Sequence, residues 1–551
     1  MSEKKKDNFI KQAGILAAAG IICRIIGILY RSPLTAIIGN EGNGYYSAAI
    51  YCYTIILLIS SYSIPAAVSK VISQRLAAGE YKNAQRIFYG VIMYVVIVGG
   101  LASILAFLFA DVLVSQNAAP VLRVFAPTIF FSGLLGVLRG YFQANKTMLQ
   151  TSISQIAEQI LNAVISLLAA YLLIGTVAGK DDTTKAIYGA TGSAIGTGVG
   201  VLSALLFMTF VYGINKDIIK KRLKKDKMPD SELETYANIM KMILMVITPY
   251  ILSTFIYNVS NFLNQTLYRK IMEVVAGYSE KEIAIMFGIY SAKAVVIVNV
   301  PVALSSAVAA AMLPSVSGTF SRGDIDGTRE KVAAAIKTTM LISIPSAVGL
   351  FVLARPVTQL LFPQVADLPL ASSLLRFLCI SVVFYALSTL TNAVLQGIGK
   401  AGKPVVNATV ALVFQTVILV TLLMFTDWNL YCLALATIVY SLLMCIFNQA
   451  SVKHYLGLKQ DVIRIYLLPS LASLCMGIVA FGAYEGVYLL ISGILSSRLS
   501  NAISLLLSIP MAAIIYFILL IAFQVVNRQE IKTFPKGNLL IRLADKLHIL
   551  R

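Results

Sequence analysis

Arg24, Arg31, Glu158 and Lys293 fall inside long apolar runs of this sequence and call for a chemical reason, while Lys337 lies close enough to an inner helix end to snorkel. An ionised group at the centre of a bilayer costs roughly 2.5 to 3.5 kcal/mol or more, so such groups are placed there for pairing or for function. Arg24 and Arg31 are two helical turns apart, which puts them on one helix face about 10 Å from each other. Two guanidinium groups in a partly dry cavity suit a diphosphate, because each can direct two parallel charge-assisted bonds at phosphate oxygens. Lys293 lies some ten residues into its own run, roughly 15 Å below the surface. If its helix and that of the arginines line one chamber, three cations converge there. The plainer alternative has Arg31 snorkelling to the interface and Arg24 pairing with Glu158. Glu158 is then either a pairing partner or the carrier of a coupling ion.

The elements that must hold these residues are membrane helices. The chain has 551 residues, 58% hydrophobic and only 13% charged. Soluble domains run nearer about 25% charged, which excludes a soluble enzyme or a disordered chain. The apolar runs between polar breaks predict fourteen transmembrane helices in an all-α integral membrane protein, beginning near 12–38 and ending near 501–526. At about 20 residues per crossing, they leave no room for a sizeable soluble domain. The N-terminal Lys4, Lys5 and Lys6 precede a stretch that resembles a signal peptide, but it carries Arg24 and continues to Ile38, so it is expected to stay as the first span.

Charge sets the expected orientation. Of the 45 Lys and Arg residues, nine fall in alternate segments assigned outside, four lie within spans (Arg24, Arg31, Lys293, Lys337), and the remaining 32 fall on the other side. Under the positive-inside rule this puts both termini in the cytoplasm. The basic stretch Lys216–Lys227 joins two spans and lacks interleaved aromatics, which argues for topology or anionic lipid and against nucleic acid. The tail 527–551 spaces Leu539, Leu540, Leu543, Leu547 and Leu550 helically among basic residues, and is expected on the inner membrane surface. The six cysteines all sit in apolar runs without a CxxC pair, and His454 and His548 sit in polar segments. Neither a disulfide framework nor a metal site is expected, and no cofactor beyond a possible coupling ion, H⁺ or Na⁺.

The chain also repeats itself. Gly79-Glu80-Tyr81 after span 2 parallels Gly323-Asp324-Ile325 after span 8, and Leu138-Arg139-Gly140 after span 4 parallels Leu395-Gln396-Gly397 after span 10. Two six-helix units of equal topology follow, parallel repeats of the transporter kind. The expected organisation is an N-lobe with its basic linker (1–236), a C-lobe (237–463), two extra C-terminal helices (464–526) and the tail. Within span 6, Gly192, Gly196 and Gly200 superficially offer a phosphate loop. No strand precedes them, so close helix packing is the expectation.

Several segments carry a resemblance. Arg24-Ile25-Ile26-Gly27, Ile64-Pro65-Ala66-Ala67-Val68-Ser69-Lys70, Leu138-Arg139-Gly140-Tyr141-Phe142-Gln143, and Ser154-Gln155 with Glu158-Gln159 resemble the stage V sporulation protein B family. That family belongs to the multidrug/oligosaccharidyl-lipid/polysaccharide flippase superfamily, beside the lipid II flippases. The resemblance implies a two-lobed flippase of the bacterial cytoplasmic membrane. Its cargo would be an undecaprenyl-diphosphate-linked oligosaccharide, its other contacts membrane lipids, and its state monomeric. It also implies that Arg24, Arg31 and Lys293 match basic residues on which the lipid II flippases depend, and that spans 13 and 14 form an apolar groove for the prenyl tail. The early acid of span 2 in those relatives is replaced here by Gly44 and Tyr45. The alternatives are a cation-coupled drug exporter of the same superfamily, which should carry a cavity acid, and a membrane glycosyltransferase, which would need a carboxylate cluster or a catalytic His.

Overall fold

The computed structural model describes residues 3–526 except 63, 146, 227–228, 230–232, 363 and 365; for 3–17, 61–62, 246–247, 249–250, 252–254, 257 and 314 it describes the backbone alone. The amphipathic tail expected at 527–551, with His548, lies outside the described residues. Among the described residues there are helices and turns and no strand, as a bilayer requires of a chain that satisfies its backbone within each segment.

Twelve helical stretches of the described residues are long and apolar enough to cross a membrane. The longest, Ala18–Ala78, holds more than one crossing. It begins in α1 (Glu3–Leu57), which is broken at Gly39 (φ 67°, ψ −178°), a backbone conformation open in practice to glycine. The break frees the Gly39 carbonyl, and the Asn43 side chain donates to it at 2.7 Å. After a π-helical turn the chain continues as α2 (Ile64–Ala78).

The chain forms two compact units, Met1–Ala292 and Lys293–Arg551. The first holds α1 and α2, then α3 (Tyr81–Tyr94), α4 (Gly100–Leu108), the short α5 (Ala110–Leu113), α6 (Ala119–Ala144), α7 (Met148–Thr176), α8 (Asp182–Ile214), the basic α9 (Lys216–Lys225), α10 (Tyr236–Val274) and α11 (Glu280–Ile289). Asp181 caps α8, accepting from the Thr184 amide and hydroxyl at 3.0 and 2.7 Å, and these bonds hold its carboxyl below the usual range. One core joins α2, α3, α6 and α8 around Ile72, Phe88 and Leu135, and a second joins α1, α6 and α8 around Tyr53 and Phe125.

Both α10 and α11 lie in the first compact unit, and α11 is held against α1 by close backbone packing. A Cβ on Gly44 would lie 2.0 Å from the Ala284 carbonyl oxygen, and one on Gly288 would lie 2.0 Å from that of Asn40. Ser291 adds a 2.9 Å hydroxyl contact to Ser47. Small residues on both helices thus let α1 and α11 meet as membrane helices commonly do. The glycines of α8 behave the same way: Cβ atoms on Gly192 and Gly196 would lie 2.5 and 2.2 Å from α7 atoms, the close packing that their spacing predicts.

The second unit holds α12 (Val295–Phe320), α13 (Ile325–Val352), α14 (Ala354–Leu361), α15 (Leu368–Gly397), α16 (Gly402–Phe425), α17 (Leu430–Leu456), α18 (Leu468–Ile491) and α19 (Ser497–Ala522). One core forms where α12, α13, α15 and α17 meet, around Ile336, Leu390 and Val394. A separate core joins α18 to α19 around Ala472, Leu505 and Leu520, so these last two helices pack chiefly on each other. Many large apolar side chains, Val112, Phe425 and Leu489 among them, are exposed, the condition of a surface meant for lipid.

Candidate functional site

The first unit presents Arg24 and Arg31 from the same stretch of α1, ahead of the Gly39 break. Arg24 is exposed and has no ion-pair or hydrogen-bond partner among the described residues. Arg31 is half-buried, with its guanidinium 5.1 Å above the Tyr46 ring, a cation–π contact. Tyr46 in turn packs on Phe125 at 5.6 Å. Arg31 therefore sits beside an aromatic ring, with no carboxylate partner among the described residues.

Glu158 does not neutralise Arg24. It accepts from Arg139 of α6 at 2.6 Å, while the Arg139 Nε donates to Ser154 at 2.9 Å. These side chains are 14% and 27% exposed. Arg139 reads in sequence as an inner-end cation, so it was not a candidate for this pairing. The Ser154-x-x-x-Glu158 spacing, which puts both acceptors on one face of α7, is the signal that could have found it. Beside the pair, Gly200 lets α8 come against the backbone of α7 at Glu158, where a Cβ would lie 2.7 Å from its carbonyl oxygen.

Lys293, in the second unit, lies in the π-helical turn Tyr290–Ala294 that joins α11 to α12, a local widening that often marks functional positions. Its side chain is 2% exposed. It donates to Gln364 at 2.7 Å and forms an ion pair with Asp367, just ahead of α15. The sequence reading missed both partners. Asp367 precedes Leu368-Pro369 at a helix start, an ordinary capping position, which hides its reach toward a buried lysine.

An acidic residue near the start of the second span is also present, three positions before Gly44. Glu41 is 8% exposed and accepts from Tyr45 at 3.0 Å, with Lys281 Nζ 3.7 Å from its other oxygen. Asn117 ties Tyr45 (3.1 Å) to Glu280 (3.0 Å). This polar cluster fastens α1, the turn before α6 and the start of α11 to one another.

Long apolar helices that expose many large apolar side chains, with no strand among the described residues, define an integral membrane protein. The family model described as lipid II flippase MurJ matches residues 74–495, and the chain belongs to that family. Stage V sporulation protein B of Bacillus subtilis (strain 168) is 24% identical over 547 residues, 98% of this chain and all of that protein. The lipid II flippase MurJ of the same organism is 23% identical over 474 residues, covering 82% of this chain and 85% of its own. Among solved structures, the fold is similar to lipid II flippase MurJ in its inward closed conformation, with a TM-score of 0.65 at 17% identity, over 91% of this chain and 97% of that one. It is also similar to an outward-facing multidrug resistance MATE family transporter of the MOP superfamily, with a TM-score of 0.58 at 16% identity, over 82% and 96%.

Proposed function

We propose that the chain flips an undecaprenyl-diphosphate-linked oligosaccharide across the cytoplasmic membrane by alternating access, with Arg24 and Arg31 engaging the diphosphate and Lys293 contributing a further positive charge. Family membership supports the flippase activity, a transport step and not a covalent one. The observation that carries the site assignment is Arg24, a guanidinium on a membrane helix with no counter-charge among the described residues. A cation left uncompensated in a bilayer is costly, and a diphosphate that enters and leaves would supply the missing charge intermittently. Lys293 is held by Asp367 and Gln364, so its share in binding requires that pair to open when cargo arrives.

Fourteen crossings follow if Ala18–Ala78 is counted as two helices on either side of the Gly39 break and Tyr236–Val274 is added to the others. An even number puts both termini on one side, and the excess of Lys and Arg makes that side the cytoplasm. The last two helices fit a separate apolar surface for the prenyl tail. The driving force in this proposal is a coupling cation, H⁺ or Na⁺, or the membrane potential, and a monomer suffices for it. Likeness to drug exporters is a likeness of fold, while the uncompensated charge of α1 is basic and suits an anionic cargo better than a cationic drug.

The test is leaflet exchange of labelled polyprenyl-diphosphate sugars in vesicles containing the purified protein. Arg24→Ala should reduce exchange at least about a hundredfold, the equivalent of about 2.7 kcal/mol for a lost charge-assisted pair, with expression and folding retained. Arg31→Ala should reduce it less. Exchange by Arg24→Ala at the wild-type rate would remove that residue from the mechanism, and efflux of organic cations in its place would favour the exporter reading.

A further inference from the structure

We infer that a groove on the second unit, formed by the end of α13, the first third of α15 and the middle of α18, is a binding site for a membrane phospholipid with one net negative charge. The cavity has a volume of about 1150 Å³ and is lined mainly by apolar side chains, among them Phe351, Phe377, Ile380, Ile478 and Phe481. All five are exposed in the protein alone, so the groove lies open to hydrocarbon.

Its polar groups gather at one end. Arg376 is the one charged residue in the lining, accompanied by Ser373 and Tyr431, whose hydroxyls lie 2.6 Å apart. Tyr431 is the second residue of α17 and Phe351 the penultimate residue of α13, so this end of the groove coincides with helix termini on one membrane face. Arg376 stands eight residues into α15, about 12 Å along its axis. That helix has 30 residues, about 45 Å, against a hydrocarbon core of about 30 Å. The guanidinium therefore emerges close to the boundary of the core. It has no carboxylate or hydrogen-bond partner among the described residues.

An unpaired guanidinium at that depth, over an apolar slot and beside two hydroxyls, complements a lipid headgroup phosphate whose acyl chains run down the slot. A single cation matches a phosphodiester better than a diphosphate, which carries more charge and would leave part of it uncompensated. This separates the groove from the site proposed for the cargo's diphosphate on α1. The orientation proposed above enters only in naming the outer leaflet as the one served.

Native mass spectrometry of the purified protein, titrated with phosphatidylglycerol, phosphatidylethanolamine or undecaprenyl diphosphate, tests the inference without any transport step. The wild type should retain one phosphatidylglycerol in preference to phosphatidylethanolamine. Arg376→Ala should weaken that binding by about tenfold, as expected for one charge-assisted contact, and Arg376→Lys should restore most of it. A photoreactive residue at Ile380 should capture the acyl chain, which locates the lipid even if Arg376→Ala folds poorly. Equal binding of the two phospholipids by the wild type would overturn the inference. So would unchanged phosphatidylglycerol binding by Arg376→Ala, or Arg376-dependent displacement of phosphatidylglycerol by undecaprenyl diphosphate. None of these results bears on whether Arg24 supports flipping.

Discussion

Arg139 and Glu158 show how one ion pair can alter the meaning of its neighbours. By holding the carboxylate, Arg139 leaves Arg24 without the partner that would have made it merely structural. Removing one member of a buried pair strands the other, at 3 to 5 kcal/mol in fully buried cases; with 14% and 27% exposure here, about 2 kcal/mol is expected. Arg139→Ala should therefore lower the thermal unfolding temperature of the purified protein, and Arg139→Met with Glu158→Leu should recover most of the loss. Equal destabilisation by the single and the double variant would show that the pair itself is not the source. The sequence made the deep cations visible because each interrupts an apolar run. Which charges neutralise one another was hidden, since Arg139 and Glu158 meet across two helices, and Lys293 meets Asp367 from a different helix start.

At the scale of elements, spans and their glycines were readable from composition and four-residue spacing, while polar linkers were not. The stretch around Lys216–Lys227 reads as a block of positive charge. In the structure its acidic neighbours matter as much: Asp226 accepts from the Lys82 amide at 2.8 Å, and Glu234 pairs with Arg75. Arg75 also holds Glu80 at 3.1 Å, and Asn83 accepts from the Glu234 amide at 3.1 Å. The linker is thereby fastened to the turn between α2 and α3, by contacts that no local pattern announces. The seam between α1 and α11 gives a sharper test. A methyl group at position 288 would meet the Asn40 carbonyl oxygen at 2.0 Å, and backbone cannot swing aside as a side chain can. Gly288→Ala must push the helices apart or shift one along its axis, at about 1 to 3 kcal/mol by the usual cost of overpacking. Gly175→Ala, with nothing within 4 Å of the new atom, is the control. A thermal unfolding temperature reduced for Gly288→Ala and unchanged for Gly175→Ala is expected. Equal behaviour of the two would mean that the seam is not closely packed in the membrane.

For the molecule as a whole, the distribution of charge and the alternation of helices must give the same orientation, because each crossing reverses the side. The basic α9, with six Lys and Arg among its ten residues, follows α8, and the acidic cap Asp181 precedes it. In the orientation proposed above from the positive-inside rule, α9 lies in the cytoplasm and Asp181 and Asp182 outside. Solution labelling checks this directly, because the six native cysteines are free and can be replaced by Ala or Ser. On that background, Asp182→Cys should react with a membrane-impermeant maleimide in intact cells, its side chain being 84% exposed. Lys221→Cys should react only after the membrane is permeabilised. Reversed labelling would overturn the orientation, and with it the assignment of the α13, α15 and α18 groove to the outer leaflet. It would leave the ion pairs and helix seams within each unit untouched, since those rest on side-chain contacts and not on which way the chain is threaded.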